Sequence, residues 1–158
     1  MDNKTPITRQ GLEALKVELQ ILMTKDRPAI KKAIAEARAH GDLRENAEYH
    51  AAKERQSFIE GRIQELNAKM GTFQVVEPGR GPSDIVSFGA TVTLSYVETE
   101  ESLSYQIVGP DEADIKVSRI SYLSPIAKAL IGKRTGDVVV VHVPKGKVEV
   151  EISGVAYT

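Results

Sequence analysis

The chain has 158 residues, 41% hydrophobic and 27% charged, with a net charge of −1 and no cysteine. That length suits one or two small domains and that balance a globular chain, while the missing thiols exclude a disulfide framework and any thiolate zinc site. The charge is only mildly uneven: residues 1–76 carry 13 Lys/Arg against 11 Asp/Glu and residues 77–158 carry 8 against 11, which does not support a free-standing nucleic-acid binder.

The opening Met1–Pro6 has no apolar h-region, and no apolar run approaches a membrane span, so a cytoplasmic protein without membrane association is expected. From Thr8 to about Met70 the period is helical. Leu12, Leu15, Leu19 and Leu22 form an a/d seam, with Thr8 as its expected N-cap. Ile30, Ile34 and Ala37 continue the stripe after an eleven-residue step from Leu19, a step that relaxes a left-handed supercoil. Pro28 falls in that interval and predicts a kink or a restart, with Asp26 as the cap of a restarted helix. A second stripe runs through Ala52, Gln56, Ile59, Ile63, Leu66 and Met70.

Between the stripes stands His40-Gly41-Asp42. Gly41 can end one helix in the left-handed conformation and Asp42 can cap the next, so the two helices are predicted to be antiparallel neighbours. Leucine and isoleucine fill the base of this hairpin and alanines its tip. Some thirty helical residues at ~1.5 Å each give a rod roughly 45–50 Å long, slim at its end.

Gly71 is the predicted end of the second helix, and Glu77–Ser83 reads as a linker. Beyond it the period changes to two over Ala90–Val97, Leu103–Val108 and Lys147–Ile152. Asp137–Val143 reads as a more buried strand, joined to the last one by a turn at Pro144–Lys147. Ser124–Gly132 is a short helix, with Ser124 as N-cap, Pro125 in the first turn and Gly132 as its stop. The predicted fold class is therefore α+β: a coiled-coil hairpin over 1–76, a linker over 77–83 and a small antiparallel sheet with one helix over 84–158.

The candidate chemistry lies at the tip. Asp42 and Glu45 are three apart at a predicted helix start, so both carboxylates can project on one side. The pattern reads as a capping box, with Asp42 as N-cap and Glu45 at N3. It also reads as a pair of metal co-ligands, and the two are compatible because a cap uses one carboxylate oxygen. Two carboxylates are too few for Mg²⁺, which wants six ligands, but they can complete a site whose other ligands come from a partner. Lys25, Arg27, Lys31, Lys32, Arg38, Arg44, Lys53 and Arg55 are candidates for sequence-independent phosphate contacts, or else a solvated helix face.

The run EARAHGDLRENAEYHAAKE strongly resembles the tip motif of the Gre transcript-cleavage factors. FGATVTL at Phe88–Leu94, DEAD at Asp111–Asp114 and SPIAKALIGKRTGDVV at Ser124–Val139 resemble that family's C-terminal domain. The resemblance covers essentially the whole chain in order. It implies an FKBP-like second domain and a hairpin that enters the secondary channel of bacterial RNA polymerase. There Asp42 and Glu45 would help hold a Mg²⁺ ion shared with the polymerase, whose own active site hydrolyses backtracked RNA near its 3′ end. The resemblance favours Arg38 and Lys53 as contacts to that RNA, and Ser124, Pro125, Ile126 and Ala127 as the polymerase-docking surface. The chain would be an accessory factor rather than an enzyme, with no cofactor of its own, and a monomer. Two other functions fit the same outline: a channel-binding regulator without cleavage, and a prolyl isomerase or chaperone built on residues 84–158. The second domain has Phe88 as its only phenylalanine and no tryptophan, against the aromatic-lined pocket an isomerase suggests.

Overall fold

The computed structural model describes residues 4–77 and 84–157; the 78–83 part of the expected linker lies outside them. The chain forms two compact units, Leu12–Phe73 on the one hand and Met1–Gly11 with Gln74–Thr158 on the other. The first eleven residues therefore group with the sheet unit, whereas the sequence pattern assigned them to the hairpin.

The hairpin unit is made by α1 (Arg9–Ile21), a π-helical turn (Leu22–Asp26), α2 (Arg27–Arg38) and α3 (Ala47–Met70). The predicted stripes are its core. Leu15, Leu22, Ile30, Ile34 and Ala37 are buried on the first arm, and Ala52, Ile59, Ile63 and Leu66 on the second. Two bidentate ion pairs link the arms, Arg62 to Glu18 at 2.6 and 3.0 Å and Arg27 to Glu60 at 2.7 and 2.8 Å. In each pair the guanidinium holds the carboxyl below its ordinary value.

Helical structure runs on through Pro28 with no break for a restart. Asp26 is helical (φ −70°, ψ −44°) and makes no side-chain cap bond, which corrects its predicted role. Arg27 N–H instead donates to Leu22 O, one residue further back than in an α-helix. This wider turn shifts the hydrogen-bond ladder just ahead of the proline, whose missing N–H and ring crowd the preceding turn. It also absorbs the irregular step in the stripe, since Leu22 to Ile30 is one residue longer than a heptad.

In the other unit, β1 (Thr5–Ile7) pairs with β2 (Phe73–Val75). A five-stranded sheet has the order β5-β4-β3-β7-β6, with β3 (Thr91–Tyr96), β4 (Ser102–Val108), β5 (Arg119–Ser121), β6 (Val138–Val143) and β7 (Gly146–Ala156). Its pairs are antiparallel except β4–β5, which is parallel, so the sheet is mixed rather than wholly antiparallel. The short helix α4 (Pro125–Leu130) covers one face, burying Ala127 and Leu130 among Val92, Leu94, Ile107 and Ile152. The β6 valines are not buried on both faces as their unbroken run suggested: Val138 and Val140 are 57% and 46% exposed, while Val139 and Val141 are buried. The core lies on one face of the sheet, so burial alternates along β6 as it does along the inner strand β3.

Thr8 caps α1 as predicted, its Oγ1 accepting from Gly11 N–H at 3.0 Å. A second cap comes from far along the chain. The buried Glu112 accepts Thr8 N–H at 2.7 Å and Gly109 N–H at 3.0 Å, and the Thr8 hydroxyl donates to it as well. In a capping box the residue at N3 reaches back to the N-cap N–H. Here N3 is Gly11, and Glu112 fills the space its side chain would take.

Candidate functional site at the hairpin tip

The two arms are joined by a loop, not by a tight turn into a capping box. α2 ends at Arg38; His40 N–H and Gly41 N–H then donate to Ala37 O and Arg38 O at 3.2 and 3.4 Å. Gly41 turns the chain at φ +117°, a conformation that L side chains rarely adopt. The next helix starts only at Ala47, and its N-cap is Asn46, whose Oδ1 accepts from Tyr49 N–H at 3.0 Å. The predicted cap at Asp42 with Glu45 at N3 is therefore corrected: both acids lie in the loop. Asp42 Oδ1 accepts Arg44 N–H at 2.9 Å in a local Asx turn. Glu45 makes no hydrogen bond or ion pair among the described residues.

Residues 41–45 are all exposed. An open hollow of about 440 Å³ is lined by His40, Asp42, Glu45, Asn46, Ala47 and Glu48, so the structure brings the two predicted acids to one concavity. Their donors are hard carboxylate oxygens, the kind Mg²⁺ takes. Among the described residues no group of three or more His, Asp or Glu is arranged to hold a metal ion. The tip fits a metal as a partial ligand set and not as a complete one.

The basic candidates separate. Arg27 is committed to Glu60, which removes it from the set free to meet a phosphate. Arg38 is exposed at the end of α2, and Lys53 is exposed on α3 with a 3.3 Å bond to Gln56 Oε1. Neither lines the hollow. Tyr49 is half-buried, its ring edge-on to His50 at 5.6 Å. His50, given no role by the sequence, donates from Nε2 to Arg44 O at 3.0 Å. Asn46 had no assigned role either. Its spacing to Tyr49 is an N-cap signal, but Asp42 offered the same signal four residues earlier.

The predicted docking residues lie at the start of α4. Ser124 Oγ accepts Ala127 N–H at 3.2 Å and caps the helix; Pro125 is exposed and Ile126 half-buried. Ala127 is fully buried in the sheet core, so it cannot form part of a docking surface. Leu123, 50% exposed beside Ser124, is the apolar neighbour the pattern missed.

The chain thus combines a helical hairpin that displays two carboxylates at its tip with a separate sheet unit. Family comparisons name this arrangement. Residues 5–75 match the family model described as transcription elongation factor, N-terminal, and residues 81–157 match transcription elongation factor, GreA/GreB, C-term. The chain belongs to the GreA/GreB family of transcription elongation factors. It is 58% identical over 156 residues to the transcription elongation factor GreA of Legionella pneumophila (strain Lens), covering 98% of each chain. Over 157 residues it is 52% identical to that of Thermodesulfovibrio yellowstonii, covering 99% of each. Among solved structures it matches the GreA factor homolog 1 (Gfh1) of Thermus thermophilus at 30% identity and a TM-score of 0.43, covering 97% of this chain and 99% of that one.

Proposed function

We propose that this protein is a cytoplasmic elongation factor, acting as a monomer, that inserts its hairpin tip into the secondary channel of bacterial RNA polymerase. There it stimulates the polymerase's own hydrolysis of backtracked RNA near the 3′ end, so that an arrested complex resumes elongation. The observation that carries the reading is the pair Asp42 and Glu45, exposed on one hollow with carboxylate oxygens free of any cationic side chain among the described residues.

The tip residues would hold a Mg²⁺ ion jointly with the polymerase. When bound, such an ion acts as a Lewis acid toward the scissile phosphate and makes its bound water a better nucleophile. Asp42 keeps one oxygen on Arg44 N–H, which orients the carboxylate and leaves the other unbonded. Glu45 has both oxygens unbonded among the described residues. Arg38 and Lys53 supply positive charge for the phosphates of the extruded RNA. Ser124, Pro125 and Ile126 present the polymerase-docking surface, with Ala127 beneath it as packing. The chain is an accessory factor and not itself an enzyme, because two carboxylates leave most of an octahedral shell to be filled by another molecule.

The test is transcript cleavage in a stalled, backtracked complex. Asp42→Asn and Glu45→Gln are each expected to cut stimulated cleavage by at least about a hundredfold, in the range of lost charge stabilisation at a reacting phosphate, while competition with wild type for polymerase is retained. Undiminished cleavage by the Asp42→Asn, Glu45→Gln double variant would sink the metal role.

A further inference from the structure

Two residues beside the tip acids bond to the backbone of the loop that carries them and of its flanking helices. Asn46 uses both ends of its amide: Oδ1 accepts Tyr49 N–H at 3.0 Å, and Nδ2 donates to Ala37 O at 2.7 Å. Ala37 is 4% exposed, in the last turn of α2. One side chain thus closes the loop at its base, joining the end of the first arm to the start of the second. Asp42 and Glu45 lie inside the segment it closes.

His50 adds a tether from one turn into α3. Its Nε2–H donates to Arg44 O at 3.0 Å, while Arg44 N–H is held by Asp42. Arg44 stands between the two acids in sequence, and both of its backbone polar atoms are bonded. Fixing a backbone residue costs about 1–2 kcal/mol. Residues 41–45 are all exposed, Leu43 at 36%, so burial offsets little of that cost. Apart from Gly41 N–H on Arg38 O, the hydrogen bonds within the segment run from side chain to backbone.

We propose that Asn46 and His50 are positioning residues of the tip, holding the Asp42–Glu45 segment in the one arrangement that offers both carboxylates together. The decisive bond of Asn46 is the one from Nδ2 to Ala37 O, not its helix cap. The inference rests on the function proposed above for its consequence in cleavage; its structural content stands without it.

The cap and the tether separate by substitution. Asn46→Ser keeps a hydroxyl for Tyr49 N–H, and Ser is as good an N-cap as Asn. It cannot reach Ala37 O. Asn46→Asp keeps the acceptor as well but sets a carboxylate against that carbonyl. His50→Ala loses the tether, and His50→Gln restores an amide N–H donor at similar reach.

Amide hydrogen exchange of the free, full-length protein is the first readout. Asn46→Ser and His50→Ala should each speed exchange at Arg44 N–H about five- to tenfold, the loss of one ordinary hydrogen bond. Exchange within α2 and at Ile59–Leu66 should be unchanged, and His50→Gln should recover most of the effect. In the cleavage assay the same variants should raise the Mg²⁺ concentration giving half-maximal stimulation several-fold, with competition for polymerase unchanged. Wild-type exchange at Arg44 in Asn46→Ser and His50→Ala would overturn the proposal, as would losses of cleavage that simply track a lowered Tm. If the wild-type protein releases no RNA, the functional reading fails, and the exchange data still decide whether these two residues hold the loop.

Discussion

Gly11→Ala inverts an ordinary expectation. In the first turn of a helix, replacing Gly by Ala normally stabilises by up to about 1 kcal/mol. At this position a Cβ would lie 2.1 Å from Glu112 Oε1 and 2.6 Å from Glu112 Cδ. The carboxylate is the end of a flexible side chain and can rotate away, but only by leaving Thr8 N–H, the Thr8 hydroxyl and Gly109 N–H. Hydrogen bonds to a charged group are each worth about 1.5–3 kcal/mol. Losing one or two outweighs the helix gain, so the net effect should be a destabilisation of about 1–4 kcal/mol. At roughly 2–4 °C per kcal/mol for a chain this long, Tm should fall by several degrees. The assay is thermal and urea unfolding followed by circular dichroism, run as a cycle with Glu112→Ala. Once the carboxylate is gone the nearest atom left is Thr8 Oγ1 at 3.1 Å, which can shift when it no longer donates to Glu112, so Gly11→Ala should be neutral or stabilising in the Glu112→Ala background. A single Gly11→Ala variant that melts above wild type would refute the packing argument.

Three other outcomes follow from the same structure. Asp26→Ala should change stability by less than about 0.5 kcal/mol, because the π-helical turn leaves that side chain no capping bond; a loss near 1 kcal/mol in urea unfolding would restore the predicted cap. Leu66→Ala, truncating a side chain only 1% exposed, should cost about 2–5 kcal/mol, and the loss should appear at amides of Leu12–Phe73 in hydrogen exchange. The Glu18–Arg62 pair should contribute to stability above the ordinary glutamate value of about 4.5, where the unfolded Glu18 is already ionised. That contribution should fade as pH falls through the lowered folded-state value, and since both side chains are partly solvated it should amount to only about 0.5 kcal/mol. A Glu18→Gln variant should therefore lose part of the wild-type pH slope as pH falls below the ordinary glutamate value, and identical slopes would show that the pair contributes nothing.

Much of the fold is legible in the sequence because it rests on short-range periodicity. The stripe through Ala52, Ile59, Ile63 and Leu66 is buried as its spacing requires, and Ser124-Pro125 starts a helix as its residue types require. The misreadings share a different cause, in that a distant residue decides between local options. Asp42 and Asn46 are both good N-caps, and the choice between them turns on Asn46 Nδ2 meeting Ala37 O across the hairpin. Asn46 takes the cap and Asp42 accepts Arg44 N–H instead, which leaves both acids in the loop and Glu45 unbonded among the described residues. The valine run of β6 looks buried throughout, but only one face of the sheet meets the core. The parallel β4–β5 pair has no local signature, and Glu112 lies 104 positions from the Thr8 it binds. The acids themselves were legible as a pair, but their setting in a tethered loop was not.

The central claim concerns what the tip does inside a partner, and one measurement addresses it directly. A backtracked complex is assembled from purified bacterial polymerase with RNA labelled along its length, and the wild-type protein is added with Mg²⁺. The account predicts release of a short 3′ fragment, followed by extension of the shortened RNA when nucleotides are supplied. Slower elongation with no fragment released would contradict it, and would make the chain a channel-binding regulator without cleavage.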